Sequence, residues 1–209
     1  MTDMRTRGGV WLPMAAGALI IGLALVVFGL GRLHSPTGSP GGTRTGESPR
    51  AAAPLPRSAP VRIQVPAIGV SAPVLALGLN PDQTVQEPSL SQPSLTSWYR
   101  LGPAPGERGP AAFFGHIDTR ASGPAVFYRL GQLTPGAQVR IARRDGVTAV
   151  FQITAVEQVP KSRFPTQRVY GMTAEPTIRL ISCGGDFNRA TGHYNDNIIA
   201  YGVLTGSTG

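Results

Sequence analysis

Hydrophobic positions fall along this chain in three regimes. The first is an uncharged run, Trp11–Gly31, reading WLPMAAGALIIGLALVVFGLG. At a helical rise of ~1.5 Å per residue it spans about 31 Å, close to the thickness of a bilayer's hydrocarbon core. It exceeds the apolar region of a typical secretory signal, and no Ala-x-Ala site follows it closely. The pattern predicts a single transmembrane signal anchor over 11–31, behind a cytoplasmic N-terminus over 1–10, with the rest of the chain outside. Arg5 and Arg7 before the run and Arg32 after it orient it only weakly by charge. A cleaved signal, the alternative, delivers the same domain to the same compartment.

The second regime, residues 32–60, is crowded with Pro, Gly, Ser, Thr and Ala and holds almost no large apolar residue. Such a stretch buries too little surface to offset the entropy of ordering it. It predicts a disordered linker that lifts the following domain off the membrane, and His34 within it reads as a solvated bystander.

The third regime, residues 61–209, is built of short strand signals. Val61–Val65 and Gln138–Arg143 alternate with period two. Ala72–Leu79 and Ala111–Gly115 are short apolar runs bounded by turn residues. Asp145-Gly146 is a hairpin turn signal that leads into Val147–Val159, and Thr177–Cys183 and Asn197–Leu204 complete the set. Helical signals are confined to Pro124–Leu130 and Thr166–Tyr170. Seven or eight short strands with one or two short helices predict an all-β domain closed into a barrel, which leaves no exposed sheet edge. Its roughly 150 residues suffice for one core.

Charge adds little to this picture. The net charge is +8, and the 13 basic and 9 acidic side chains from residue 61 onward contribute +4 of it. That excess suits an anionic membrane or wall polymer. Nucleic acid is not an expected partner, because no basic cluster is interleaved with aromatics. Lys161 is the only lysine.

Candidate chemistry centres on Cys183, the only cysteine, at the end of Thr177-Ile178-Arg179-Leu180-Ile181-Ser182-Cys183 and ahead of Gly184-Gly185. Exported cysteines usually pair as disulfides, and a single one cannot pair within its own chain. A thiol attacks carbonyls as thiolate and needs a partner to take its proton. His116, in Phe113-Phe114-Gly115-His116-Ile117-Asp118, ends a buried strand beside a glycine; His193 sits in a polar loop. His116 is the better-placed partner. An oxyanion donor is needed as well. The Gly184-Gly185 amides, Arg179 on the same strand face as Cys183, and Arg189 in the following loop are the options, and spacing does not choose among them. No metal-ligand spacing, phosphate loop, dinucleotide fingerprint or Gly-x-Ser-x-Gly elbow is present, so no cofactor or metal is expected.

These pieces together resemble the class F sortases, the actinobacterial-type cysteine transpeptidases. The likeness is carried by Arg62-Ile63-Gln64-Val65-Pro66-Ala67-Ile68-Gly69-Val70, Gly115-His116-Ile117-Asp118, and Phe127-Tyr128-Arg129-Leu130-Gly131-Gln132-Leu133 with Pro135-Gly136. It continues in Leu180-Ile181-Ser182-Cys183-Gly184-Gly185 and Phe187-Asn188, then Thr191-Gly192-His193-Tyr194-Asn195-Asp196-Asn197. It spans 61–209. The resemblance implies a sortase-like eight-stranded barrel as catalytic domain, with Cys183 as nucleophile and His116 as general acid/base. Sortases commonly carry an arginine on the strand after the cysteine loop; here Tyr194–Tyr201 has none. The role therefore passes to Arg189, or to an amide donor from Asn195 or Asn197. The implied reaction cleaves an LPXTG-like sorting signal at Thr-Gly through an acyl-thioester. An amine, such as one on a peptidoglycan precursor, then takes the acyl group. The implied setting is a single-pass, monomeric cell-membrane protein with its catalytic domain facing the wall. Leu101–Pro110 and Thr119–Gly123 are the loops expected to line the groove. A cysteine peptidase or hydrolase on the same scaffold and a non-enzymatic tethered binding module are the alternatives. An L,D-transpeptidase would carry Ser-His-Gly-Cys where this chain has Leu-Ile-Ser-Cys.

Overall fold

The structure, a computed structural model, describes residues 49–209. The expected anchor and the linker up to residue 48 lie outside the described residues. Among those described, no helix is long and apolar enough to cross a membrane.

Alternation of apolar and polar residues builds the domain. In β1 (Pro60–Val65) Ile63 and Val65 point inward and are fully buried, while Val61, Arg62 and Gln64 are exposed. A 3-10 turn over Pro66–Ile68 leads to β2 (Val70–Leu77), which pairs antiparallel with β1. The chain continues through β3 (Thr96–Tyr99) and β4 (Gly109–Phe114) to a small hairpin of β5 (Asp118–Thr119) and β6 (Gly123–Pro124). The long strands follow: β7 (Gln138–Arg143), β8 (Thr148–Pro160), β9 (Pro176–Asn188) and β10 (His193–Thr208). Eight strands close a barrel in the order β1-β2-β3-β4-β9-β10-β8-β7. The all-β, eight-stranded expectation is therefore met. β2–β3 and β4–β9 pair in parallel; the other neighbours are antiparallel.

The barrel interior is apolar. Ile63, Val65, Phe113, Ile141, Phe151, Ile178, Leu180 and Leu204 are fully buried within one cluster. A second cluster lies on the outside of β4, β9, β10 and β8: Ala112, Phe114, Ile181, Ile199 and Tyr201, covered by Val169 of α1 (Thr166–Tyr170) and by Phe164. Alternation along β4 and β9 explains the division. Phe113 and Leu180 face in, and their chain neighbours Phe114 and Ile181 face out.

Three local departures from the sequence reading have physical causes. The helix expected at Pro124–Leu130 is a turn ending in a short 3-10 segment, Leu130–Gln132. Its amides are taken by distant carbonyls instead: Ala125 N–H donates to Ile117 O, Val126 to Pro93 O and Phe127 to His116 O, all at 2.9–3.0 Å. β3 carried no alternation because Thr96 and Ser97 are both buried; the Thr96 hydroxyl donates to Pro73 O at 3.0 Å. Finally, the end of the predicted linker lies against the barrel. Ala52, Leu55 and Ala59 pack on the interior cluster, and the Ala52 N–H donates to Leu204 O at 2.8 Å. Arg143 fastens the same segment. Its guanidinium is buried, donates to Pro56 O and Pro105 O at 2.8 Å each, and pairs with Asp145.

Candidate active site

The parallel pairing of β4 and β9 leads the chain toward the candidate imidazole and the candidate thiol at the same end of two neighbouring strands. Ala112 faces Arg179, Phe113 faces Leu180 and Phe114 faces Ile181. The ladder ends there with the Gly115 N–H to Ile181 O bond of 3.2 Å, and His116 and Cys183 each stand two residues beyond the last pair. Cys183 follows the outward-facing Ile181 by two positions within β9 and so belongs to the outer face. On the other side of β9, Asn197 of β10 is the partner of Cys183, and Val159 of β8 is the partner of Asn197. One row across β9, β10 and β8 thus carries thiol, carboxamide and an apolar side chain, and His116 follows the end of the neighbouring β4.

Glycines make the row possible. A Cβ on Gly115 would lie 2.7 Å from Val126 and 2.8 Å from Phe127, the segment that holds the His116 carbonyl. A Cβ on Gly184 would lie 2.6 Å from Ile198, and Gly185 has a φ of +74° with Asp196 in the space a side chain would take. The pair after the cysteine lets the β9–β10 hairpin close tightly where its register shifts.

The connection between β2 and β3 lies against His116. Its Nε2 lies 2.7 Å from Pro88 O. A carbonyl only accepts, so Nε2 carries the proton and, in the neutral ring, Nδ1 keeps the lone pair. Glu87 Oε2 is 4.0 Å from Nδ1, and the His116 side chain is 12% exposed.

Cys183 is half-buried and free. Burial pushes its thiol up from the ordinary range; the Lys161 ammonium pulls it down by charge and as a side-chain hydrogen-bond donor, while Glu87 and Asp118 push it up. Asp118 is itself engaged by the Tyr194 hydroxyl, which donates to it. That bond to a carboxylate raises the Tyr194 pKa to about 12, so the phenol stays protonated. Phe187 stacks edge-on against Tyr194 with ring centroids 5.2 Å apart.

The other sequence candidates are placed elsewhere. Arg189 is exposed in the turn beyond the closing pair Asn188–His193 at the tip of the β9–β10 hairpin, and it is not among the charges acting on the sulfur. Arg179 shares the outer face but sits four residues back along β9. Its guanidinium donates to Arg168 O and Ile178 O and lies over the Tyr201 ring; burial lowers its pKa to about 10. His193 and Asn195 are exposed, whereas Asn197 donates to Ser182 O at 3.4 Å. Leu101, Gly102, Pro103 and Pro110 line a separate hollow of about 680 Å³ with Pro54–Arg57 and Met172. The 119–123 segment is the β5–β6 turn, next to Asp118. Sequence reasoning missed Glu87, Asp118, Tyr194 and Lys161. Only Lys161 carried a signal: one lysine in a chain that otherwise uses arginine.

Residues 63–205 match the sortase-domain family. The chain belongs to the sortase family. Solved sortases share the fold. Sortase C1 of pilus island 1 of group B Streptococcus aligns with a TM-score of 0.52 at 14% identity, over 68% of this chain and 63% of that one. Listeria monocytogenes sortase A aligns at 0.52 with 18% identity, over 71% of this chain and 89% of that one. Sortase C-1 of Actinomyces oris gives 0.52, 18%, 68% and 72%. No curated protein matches the chain in sequence. In this sortase domain the cysteine strand is β9, and the strand after it, β10, offers Asn197 rather than a cation opposite the sulfur.

Proposed function

We propose that this sortase is a cysteine transpeptidase of class F, anchored by residues 11–31 with its barrel facing the cell wall. The observation that supports the reading is the register of β4 and β9, whose last pair, Phe114 with Ile181, stands two residues before both His116 and Cys183. The class assignment rests on the Cys183-Gly184-Gly185 segment and the Thr191–Asn197 loop; the anchor rests on the length and apolarity of its run. Cys183 and His116 are the assigned catalytic pair.

In the reaction, the thiol proton passes to His116 and the Cys183 sulfur attacks the carbonyl carbon of a Thr-Gly bond in an LPXTG-like peptide. The tetrahedral oxyanion collapses as His116 returns a proton to the departing glycine amine, leaving an acyl-thioester. An amine acceptor, of the kind found on peptidoglycan precursors, attacks that thioester and gives its proton to His116. The thiolate leaves with the acyl group transferred.

The test is incubation of the full-length protein with an LPXTG peptide, with and without an added amine. Mass spectrometry should find a peptide adduct on Cys183, and the transfer product only when the amine is present. Cys183→Ala should give no adduct. Cleavage by Cys183→Ala at the wild-type rate would remove the reading, and equal hydrolysis with or without amine would make the protein a peptidase instead.

A further inference from the structure

A thiolate nucleophile is stabilised by a positive charge beside the sulfur, and both arginines the sequence offered are placed elsewhere. Arg179 is committed to two carbonyls and the Tyr201 ring, four residues back along β9. Arg168, over the same ring, is paired with Glu157 at 2.5 Å. Arg189 is in the exposed hairpin turn.

Strand register brings a different cation to the site. β8 ends with Val159 opposite Asn197 and Pro160 opposite Asp196, while β10 places Asn197 opposite Cys183 and Asp196 opposite Gly184. No register shift falls between Asp196 and Tyr201 on either side of β10. Ala149, Phe151 and Ile153 face the interior, but the register shifts between Ile153 and Ala155, and beyond it Ala155 and Val159 pack on the outer cluster, so the odd positions of the last part of β8 face outward. Lys161 follows in that series as the first residue of the 3-10 turn Lys161–Arg163. It stands at the barrel end that carries His116 and Cys183, about 10 Å across two strand spacings from β9, a span its long flexible stem reaches over.

We propose that Lys161 supplies the fixed positive charge of this active site, holding the Cys183 thiolate before attack and standing beside the reacting atoms during acyl transfer. Lys161 keeps its own proton throughout; the thiol proton goes to His116. The transfer role rests on the function proposed above, whereas the effect on the thiolate does not.

The electrostatic surroundings agree. Besides Lys161, Glu87 from the β2–β3 connection, Asp118 of β5 and Tyr194 of β10 interact with the thiol by charge. Both carboxylates oppose a thiolate, whereas Lys161 favours it. An ammonium is a compact point charge with three donors, suited to a round sulfur anion, where a guanidinium fork is shaped for carboxylate or phosphate. The single lysine stands where that distinction counts.

Because Cys183 is the only cysteine, the rate of alkylation by iodoacetamide reads its ionisation with no substrate present. In the full-length protein, Lys161→Met should slow alkylation at neutral pH roughly tenfold and move the pH–rate curve upward, the scale of effect of one nearby opposite charge. Lys161→Gln should do the same, Lys161→Arg should restore most of the rate, and Arg189→Met should overlay wild type. A Lys161→Met and Lys161→Gln pair that overlays wild type, or an Arg189→Met shift as large as theirs, would overturn the assignment. If loss of Lys161 moves the curve yet no variant or wild type cleaves a sorting peptide, Lys161 stands and the transpeptidase reading falls. If peptides are cleaved and the curve does not move, the reverse holds.

Discussion

The two faces of β9 are opposite solutions built from one strand. Its inward residues Ile178 and Leu180 are fully buried among Phe113, Ile63 and Leu204, where any polar group would lose water without recompense. Its outward residues run from Arg179 through Ile181 to Cys183, each in a different setting: an arginine capped by carbonyls and a ring, an apolar side chain in a second cluster, and a half-buried thiol among charges. The interior repeats one environment along the strand, so its residues are interchangeable in kind. The outer face changes environment every two residues, so position along it decides chemistry. Two steps toward the β9–β10 turn convert a packed surface into a reactive one.

The sharpest way to break this contrast is to remove the base without touching the core. His116→Gln keeps a polar side chain that still reaches the Pro88 carbonyl, now 2.7 Å from Nε2, but cannot accept and return a proton. Acyl transfer should fall by roughly 10²–10⁴, measured as single-turnover thioester formation on a sorting peptide, while the thermal midpoint stays near wild type. A rate within a few-fold of wild type would separate His116 from the reaction.

The inner face should answer in the opposite currency. Phe113→Ala, one position from the outward Phe114, deletes a fully buried ring from the interior cluster. It should cost about 3–5 kcal/mol of stability by chemical denaturation. Folded protein that remains should still alkylate at Cys183 as wild type does. A large loss of thiol reactivity in the folded fraction would mean that the two faces are coupled through β4.

This difference also explains what the sequence made legible. Strand alternation is a signature of one face buried and one face wet, so β1 and β7 were readable, and the Asp145-Gly146 turn signal made β8 readable after them. Cys183 and His116 stood out because the chemistry of their side chains is rare in this chain. β3 was not readable because Thr96 and Ser97 are buried polar residues stabilised by long-range partners such as Pro73 O. The turn at 125–128 read as a helix for the same reason: its amides bond to carbonyls at 93, 116 and 117 that local sequence does not specify. The ionisable groups that act on the sulfur, Glu87, Asp118, Lys161 and Tyr194, come from four different segments far apart in the chain, which local sequence does not bring together. Arg189, near in sequence, lies on the hairpin tip, whereas Lys161, 22 positions upstream, follows the strand two neighbours away.

The smallest effect falls on the residue between the two faces. Ser182 precedes the nucleophile, is 3% exposed and lies on the inward side with Leu180. Among the described residues its Oγ is buried without a hydrogen-bond partner. A hydroxyl stripped of water and left unpaired opposes folding by about 1–3 kcal/mol, and removing it also gives up a little packing. Ser182→Ala should therefore leave stability unchanged or raise it by about 1 kcal/mol, with Cys183 alkylation and thioester formation unaltered. A clear loss of stability would reveal a partner for Oγ. Unchanged stability with slower thioester formation would show that the inward side of β9 helps aim the sulfur, and that the division between a packing face and a reacting face fails at its narrowest point.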